Sequence, residues 1–363
     1  MHGPSHCSCC GREIKSDELE LLTGSRQVFD LPEPRLLVTA HRLGRVVCCG
    51  VEQVGEYPAE VRTVVQYGSG VRALSTLLSV QYRLPLAQIS ELFNDLYGYE
   101  LNSTTILDTL SRGHHLSASL EQGIKGCLRS SPVLHFDETG IRVEGKLHWL
   151  HTVSTADYTH LFVHPKRGRE ALESEASVID EYKGIAVNDC WASYFCFEDC
   201  QHALCGAHLL RELTGLIENG SQWANKMHLL LMQLYYTSHS GPLEWPLNYQ
   251  TLLDYQAILK QANEEEPPPL RSARGKPKQS KGRNLYQRLK QHQAAVLRFA
   301  FEAAVPFTNN QAERDVRGTK VKLKIAGSFR TLSGAKHHVR LQALISTWRK
   351  QQHAVFKQLR NLF

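Results

Sequence analysis

Residues 131–143 read SPVLHFDETGIRV, and the apolar part of this segment ends on two adjacent carboxylates, Asp137 and Glu138. An apolar run bounded by turn residues predicts a buried strand. A carboxylate at the end of such a strand is either solvated or compensated by a partner charge or a metal ion, because an uncompensated buried charge costs several kcal/mol. Strand alternation turns Glu138 to the opposite side from Asp137, where it either supports the site or is exposed.

Composition sets the broad class. The 363 residues are 42% apolar and 21% charged, which predicts a soluble globular protein of two to three domains. The first residues, MHGPSHCSCC, lack the basic and apolar regions of a signal peptide, and no apolar run approaches the ~18 residues of a membrane span. We therefore expect a cytoplasmic protein with no membrane segment, whose ten cysteines are thiols or metal ligands rather than disulfides.

The order of predicted elements after residue 130 is typical of an α+β fold whose sheet is covered by helices. Four strands are predicted first, with a turn at Gly145: Val133–Asp137, Ile141–Val143, KLHWLHTVST and YTHLFVH. An amphipathic helix, REALESEASVIDEY, then precedes two short strands, GIAVND and HALCG, and the helix AHLLRELTGLI.

The flanking regions are mostly helical in pattern. The stretch LPLAQISELFNDLYGYELNSTTILDTL predicts two helices with a turn at Gly98 and a cap at Asn102 or Ser103, and such a pair is either a DNA reader or ordinary helix packing. Before it, RLLVTAHRL is strand-like. After residue 220 two helical regions flank a charged, proline-rich linker, NEEEPPPLRSARGKPKQSKGRN. A last helix restarts after TNN, with Asn309 or Asn310 as its N-cap and Glu313 in its first turn.

Three carboxylates can meet at one edge of the predicted sheet. Asp189 ends a strand 52 positions after Asp137, and Glu313 follows 124 positions later on a helix. Three converging acids repel one another unless cations neutralise them, and oxygen ligands select Mg²⁺ or Mn²⁺. Two such ions about 3.5–4 Å apart serve phosphodiester cleavage and transfer. The sequence therefore predicts a two-metal phosphodiester site.

Positive charge is concentrated at the C-terminal end. Residues 316–363 contain eleven Lys or Arg and no Asp or Glu, interleaved with Phe329 and Trp348. This segment is either a solvated tail or, as we expect, a surface that binds a polyanion. The residues predicted to contact DNA are Arg317, Lys320, Lys322, Lys324, Arg330 and Lys336. Arg317 either reaches a phosphate or pairs with Glu313 one turn earlier.

Four motifs in order carry a family resemblance: HFDETGIRVEGKLHWLHTVST, VNDCWASY, CGAHLLREL and TNNQAERDVRGTKVKLKIAGSFRTLSGAK. The chain resembles the insertion-sequence sixty-six family of bacterial transposases, which are DDE recombinases with an RNase H-like fold. The resemblance implies that Asp137, Asp189 and Glu313 are the catalytic triad, and Cys205 and His208 match a Cys-x-x-His signature. It also implies DNA as the partner, a homo-oligomeric active complex, element-encoded accessory proteins and a nucleoid-associated location.

The cysteines suggest one zinc site and one weaker candidate. Cys7 and Cys10 form a C-x-x-C pair, but RVVCCG has Val46 where the second pair needs a cysteine, so Cys49 is joined by Cys48 or His41. The predicted ligands of one Zn²⁺ are Cys7, Cys10, Cys48 and Cys49, against the alternative of free cysteines. Cys205 and His208 resemble half a zinc site, and we favour a structural or orienting role over metal binding.

With the resemblance, the chain divides into six predicted segments. They are a cysteine-rich zinc-binding-like segment (1–56), a helical and possible helix-turn-helix region (57–129), the first part of an RNase H-like core (130–212), a helical insertion with a linker (213–283), the last part of the core (284–330) and a basic helical tail (331–363). The predicted activity is DNA cleavage at transposon ends and strand transfer. The alternatives are a stand-alone nuclease of the same fold and a non-catalytic DNA-binding remnant.

Overall fold

The structure is a computed structural model that describes residues 2–20, 22, 24–244, 246–269 and 277–363. It is α+β, as predicted from the order of elements. The strands are β1 (Arg45–Cys48), β2 (Val51–Val54), β3 (Val133–Val143), β4 (Lys146–Ser154), β5 (Thr159–His164), β6 (Ile185–Asn188) and β7 (Gln201–Leu204). The first helices are α1 (Ser69–Thr76), α2 (Leu86–Tyr97), α3 (Ser103–Leu116), α4 (Ala118–Arg129) and α5 (Arg169–Leu172). The later helices are α6 (Gly206–Ile217), α7 (Gln222–Ser238), α8 (Leu247–Glu265), α9 (Lys281–Gln291), α10 (Gln293–Phe301), α11 (Asn310–Ala326), α12 (Leu332–Lys350) and α13 (Val355–Leu362).

A mixed five-stranded sheet forms the centre, in the order β5-β4-β3-β6-β7. The pairs β3–β4 and β4–β5 are antiparallel, whereas β3–β6 and β6–β7 are parallel. Strands β1 and β2 form a separate two-stranded hairpin. Strands β3 and β6 stop pairing at one end of the central sheet, which is called the sheet edge below. Strands from two distant parts of the sequence meet there.

Strand β3 is longer than the sequence suggested. We expected two strands, Val133–Asp137 and Ile141–Val143, but β3 pairs with β4 without a break from His135 opposite Ser154 to Val143 opposite Lys146. Gly140 is accommodated inside the ladder opposite Trp149. The turn predicted at Gly145 is confirmed, with left-handed φ values of 53° at Glu144 and 73° at Gly145, as a tight hairpin requires.

Two other local predictions are wrong. The expected helix over residues 169–182 contains only α5 and a short 3-10 turn at Ile179–Glu181. Ser177 explains part of this, because its hydroxyl accepts a hydrogen bond from the amide of Ile179, and such side-chain bonds compete with helix formation. The strand expected in RLLVTAHRL, residues 35–43, is not formed, and the nearest strand begins at Arg45.

The α2–α3 hairpin is confirmed in detail. Helix α2 ends at Gly98, which adopts the left-handed conformation (φ 62°) that glycine tolerates best. The side chain of Asn102 accepts a hydrogen bond from the amide of Thr104 and caps α3. The two helices bury a small core of Ile89, Phe93, Leu101 and Ile106, which is what ordinary packing of a helical pair provides.

The helices after β7 share one large core. Helices α6 to α10 bury Trp223, Met227, Tyr255 and Leu289 together with Val187 and Leu204 from the sheet. The linker predicted after α8 is interrupted by residues 270–276, which lie outside the described residues. The helices that flank this linker are therefore continuous with the core that supports β6 and β7.

Helix α12 is a core element rather than a tail in solvent. Val339 and Ala343 pack with Ile141 and Leu161 of the sheet, and Leu344 and Ile345 belong to a second core with Leu134 and Phe136. Much of the C-terminal basic segment is thus held against the sheet. Within the described ranges, no helix has the length and apolarity that a membrane crossing needs.

Candidate active site

Asp137 and Asp189 lie side by side at one edge of the central sheet. The parallel register of β3 and β6 pairs Val133 with Ile185 and ends at His135 with Val187, and each aspartate follows its strand partner by two residues. Burial, the charge of Glu138 and the charge of Asp189 together raise the pKa of Asp137 to about 7. Asp137 is thus an acid in a partly buried and crowded negative environment.

Glu313 approaches the same edge from the first turn of α11. Its Oε1 lies 3.9 Å from Nδ1 of His208, which projects from α6. The pKa of His208 is raised, chiefly by the neighbouring Cys205 thiol and further by the charges of Glu313 and Asp189, which outweigh the effect of burial. His208 interacts electrostatically with both Glu313 and Asp189, and Asp189 interacts with Asp137. The three predicted acids therefore lie near one another.

Asn309 positions the helix that carries Glu313. It stands at the predicted N-cap of α11, but its buried side chain makes no capping hydrogen bond. Instead, its Nδ2 donates to the carbonyl of Phe136 at 2.6 Å and its Oδ1 accepts from Nδ1 of His135 at 2.9 Å. The start of α11 is therefore attached to β3, one residue before Asp137.

Cys205, at the start of α6, connects this helix to the end of β6 and to the start of α11. Its amide donates to the carbonyl of Asn188 at the end of β6, and its Sγ accepts a hydrogen bond from the amide of Asn309 at 3.2 Å. Burial raises the pKa of the Cys205 thiol, but His208 and the neighbouring amides lower it, and the net direction is downward. Cys205 and His208 thus lie beside the predicted triad, where a structural or orienting role was expected.

Glu138 forms a second buried charge cluster that the sequence did not indicate. Its side chain is only 1% exposed, so of the two alternatives for Glu138, a supporting position and an exposed one, the exposed one is rejected. Arg167 donates to its Oε1 from Nε (3.0 Å) and a terminal nitrogen (2.6 Å), and the hydroxyl of Tyr194 donates to its Oε2 (2.6 Å). Burial raises the pKa of Glu138, although these two partners favour its charged form.

Arg167 also reaches the segment that follows Asp189. Its guanidinium lies 4.3 Å from the ring centre of Trp191 and 4.9 Å from that of Trp149. The amide of Trp191 in turn donates to Oδ1 of Asp189 at 3.1 Å. The only sequence signal for this cluster was the pair of aromatic residues near the predicted acids, which does not by itself identify a partner.

Of the six predicted DNA-contacting residues, five are exposed, on α11 or beyond it, and Lys322 is partly buried. Arg317, Lys320 and Lys324 are exposed and follow Glu313 by four, seven and eleven positions, so they share one face of α11. Lys320 lies close enough to Asp137 to oppose the rise in its pKa. Arg330 and Lys336 are exposed beyond the end of α11.

Lys322 differs from its neighbours. It is partly buried, its Nζ donates to the carbonyl of Leu84 at 3.4 Å, and burial lowers its pKa. Its side chain therefore connects α11 to the segment before α2 instead of facing the edge of the sheet that carries the acids.

The N-terminal cysteines form two separate turns. The amides of Cys10 and Cys9 lower the pKa of the Cys7 thiol, and Cys48 and Cys49 lie at the β1–β2 hairpin with their sulfurs 3.8 Å apart. Among the residues that the structure describes, no three of these cysteines come within 4.8 Å of one another. The structure thus does not assemble the predicted zinc ligands, and the zinc site stays a prediction.

The sequence model of one protein family, described as "Transposase IS66 family", matches residues 64–337. The match begins before α1 and ends within α12, so it includes the central sheet, all three acids and the helices between them. No curated protein matches the chain.

Proposed function

The chain belongs to the IS66 (insertion-sequence sixty-six) family of transposases, and we propose that it is a DDE transposase that cleaves DNA at the ends of its element and transfers the strands to target DNA. The observation that carries this proposal is the position of Asp137 beside Asp189 at the sheet edge that also receives Glu313. Acids converging in this way suit phosphodiester chemistry assisted by cations.

An RNase H-like core is the fold assignment that fits this function. The sheet supports it, because three antiparallel strands (β3, β4 and β5) are followed by two parallel ones, in the order β5-β4-β3-β6-β7. The proposed core consists of residues 130–212 and 284–330, interrupted by the helical insertion 213–283. We add α12 to this core, since it packs on the sheet.

The residues present fit a pair of hard divalent cations. Asp137, Asp189 and Glu313 offer carboxylate oxygens, and these favour Mg²⁺ or Mn²⁺. The pKa of Asp137 is raised first by burial and then by the charges of Glu138 and Asp189, and a bound cation would favour its charged form against both effects. When bound, two such ions would activate the attacking oxygen and stabilise the leaving oxygen of a phosphodiester.

The chain's own contribution is to hold these acids in place. Asn309 attaches the start of α11, and so Glu313, to β3 beside Asp137. Glu138, Arg167 and Trp191 restrain the segment that follows Asp189, because Arg167 binds Glu138 and stacks on Trp191, whose amide contacts Asp189. Both restraints reduce the freedom of the acids before a substrate binds, which is what catalytic positioning requires.

The exposed face of α11 is the proposed path of the DNA backbone. Arg317, Lys320 and Lys324 extend from the acidic edge, so a strand lying along them would pass Asp137. Lys and Arg side chains bind phosphates regardless of sequence and fix the orientation of DNA. Sequence reading is proposed for the helical region 57–129, which contains the α2–α3 hairpin.

The function is tested with DNA that carries the ends of the element. In Mg²⁺, the purified chain should nick this DNA and join the freed 3′ ends to a second DNA molecule. Asp137→Asn, Asp189→Asn and Glu313→Gln should each abolish both reactions but leave DNA binding nearly unchanged, because the α11 cations remain. Joining activity that survives in Asp189→Asn would refute the triad.

The same assays separate the two alternatives. Mg²⁺-dependent nicking of any DNA without joining would identify a stand-alone nuclease. Binding to the element ends without either reaction would identify a non-catalytic remnant. Gel filtration or light scattering of the chain on its cognate ends tests the expected homo-oligomer at the same time.

A further inference from the structure

We infer that Cys205, His208 and Glu313 form a second cation site, selective for thiophilic divalent ions such as Zn²⁺, that shares Glu313 with the proposed Mg²⁺ pair. An ion bound there would inhibit DNA cleavage, because it would occupy Glu313, and this part of the inference rests on the proposed function. Binding of the ion rests on geometry alone. No other group of three His, Cys, Asp or Glu residues in the described ranges brings its ligand atoms this close together.

The three ligand atoms already lie near tetrahedral spacing. The Cys205 sulfur, a ring nitrogen of His208 and a Glu313 oxygen are all within 4.8 Å of one another, and the His208 Nδ1–Glu313 Oε1 distance is 3.9 Å. Zinc bonds of roughly 2.0–2.3 Å place ligand atoms about 3.3–3.8 Å apart in a tetrahedron. Small side-chain rotations of His208 and Glu313 are enough to close the difference.

The backbone holds the first two ligands on one side of a helix. Cys205 precedes α6 and His208 lies in its first turn, three residues later, which is a spacing that brings side chains to the same face. The sulfur also accepts the amide hydrogen of Asn309. An amide donor to a sulfur ligand is the kind of outer contact that orients metal ligands.

The site is open on one side, and one of its potential ligand atoms makes no hydrogen bond to the described residues. Cys205 is 1% exposed, but the side chains of His208 and Glu313 are 33% and 32% exposed, so an ion can enter between them. Nδ1 of His208 is shielded from solvent and has no hydrogen-bond partner among the described residues. One sulfur, one nitrogen and one oxygen with a vacant fourth position suit Zn²⁺ or Co²⁺ and not Mg²⁺.

Binding is measured with Co²⁺, whose bond to a thiolate gives a near-ultraviolet charge-transfer band. Serine first replaces the five N-terminal cysteines, so that their thiolates cannot contribute to the band: Cys7, Cys9, Cys10, Cys48 and Cys49. One equivalent of Co²⁺ should then produce the band, and Zn²⁺ should remove it by displacement. Cys205→Ser should abolish the band, and His208→Ala or Glu313→Gln should weaken Co²⁺ binding by at least about tenfold.

Cys200→Ser is the matched control. Cys200 is also buried and its sulfur lies 3.9 Å from Nε2 of His202, but no carboxylate completes a group of three there among the described residues. The band should be unchanged in this variant. A missing band, or a band that persists in Cys205→Ser, would overturn the site. If Cys205→Ser fails to fold, undiminished Co²⁺ affinity in both His208→Ala and Glu313→Gln overturns it instead.

A separate arm concerns inhibition. Micromolar Zn²⁺ should suppress Mg²⁺-dependent DNA nicking, because Glu313 cannot serve both sites. Co²⁺ binding without any nicking in Mg²⁺ would refute the proposed transposase activity and leave the cation site intact. Nicking in Mg²⁺ by a chain that gives no thiolate band would refute the cation site and leave the activity intact.

Discussion

Asp137 of β3 and Asp189, directly after β6, each lie two residues beyond the last pair of the parallel ladder between these strands, His135 with Val187. The register of β3 and β6 joins residues that differ by 52 in number, as in Val133 with Ile185, and the two aspartates also differ by 52. Strand β3 continues to Val143, but its pairing with β6 stops just before both aspartates, so both carboxylates reach the same level of the sheet. Their proximity explains why the charge of Asp189 contributes to the raised pKa of Asp137.

A first prediction concerns pH in the absence of metal. The folded chain keeps the Asp137 proton up to about pH 7, whereas an unfolded chain releases it near 3.8. The stability that this proton contributes is therefore complete below about pH 3.8, declines as the pH rises, and is lost once the pH has risen through about 7. Asp137→Asn should raise the free energy of unfolding at pH 8 by on the order of 1–4 kcal/mol, and by less than half as much at pH 5, which lies between the unfolded and the folded pKa.

Thermal or urea denaturation at both pH values measures this effect. The exposed Asp199→Asn variant removes the same charge away from the sheet edge and should have little effect at either pH. Saturating Mg²⁺ should stabilise the wild type more than Asp137→Asn, because only the wild type offers the full set of acids. Equal free energies of unfolding for the two variants at pH 8 would contradict the prediction.

A second prediction concerns Asn309. Replacing it with alanine leaves the carbonyl of Phe136 and the ring of His135 without their partner, which should lower the free energy of unfolding by about 1–3 kcal/mol. DNA nicking should fall further than stability alone explains, since Glu313 is no longer fixed beside β3. Asn310→Ala, at an exposed position one residue later, is the control. Wild-type nicking by Asn309→Ala would show that Asn309 does not position the helix.

A third prediction concerns the buried Glu138 cluster. Arg167→Met removes one partner of a carboxylate that is 1% exposed, and should lower the free energy of unfolding by on the order of 3 kcal/mol. Adding Glu138→Gln should recover part of this loss, because no uncompensated charge remains. Arg169→Met breaks an exposed ion pair with Glu173 and should cost about 0–1 kcal/mol. Equal losses for the two arginine variants in chemical denaturation would refute the cluster.

Features that depend on neighbouring residues were predictable from the sequence. The glycine at the end of α2, the Asn102 cap and the strands that lead to Asp137 and Asp189 all follow from local patterns. The sequence allowed the two aspartates to lie side by side, because the strands that precede them can be neighbours in one sheet.

Features that depend on distant residues were not predictable. Asn309 and Phe136 are 173 positions apart, and only the fold makes an apparent helix cap serve as a strand partner. Similarly, the alternation of β3 directs Glu138 away from Asp137 but does not reveal that Arg167 and Tyr194 enclose it. Lys322 has the same sequence context as Lys320 and Lys324, and its partial burial depends on the segment before α2.

The last prediction concerns the exposed face of α11. Changing Arg317, Lys320 and Lys324 together to Gln should weaken binding to every DNA sequence alike, because phosphate contacts carry no sequence information. The slope of log affinity against log salt should become shallower by about 0.9 for each phosphate that the variant no longer neutralises. Fluorescence anisotropy with element-end and unrelated duplexes across a salt series measures both quantities. Lys322→Gln alone should leave the slope unchanged, since its ammonium is bound to Leu84.

The control for net charge lies on the helical insertion and the helix that follows it. Lys260, Lys281 and Lys290 are exposed on α8 and α9. Changing them to Gln removes as many positive charges as the α11 triple variant does. If long-range attraction by the whole chain governed DNA binding, the two triple variants would lose affinity equally. A larger loss in the α11 variant, with a shallower salt slope, means that the phosphates lie along that face, beside Asp137. Equal losses, or an unchanged slope, would place the DNA elsewhere.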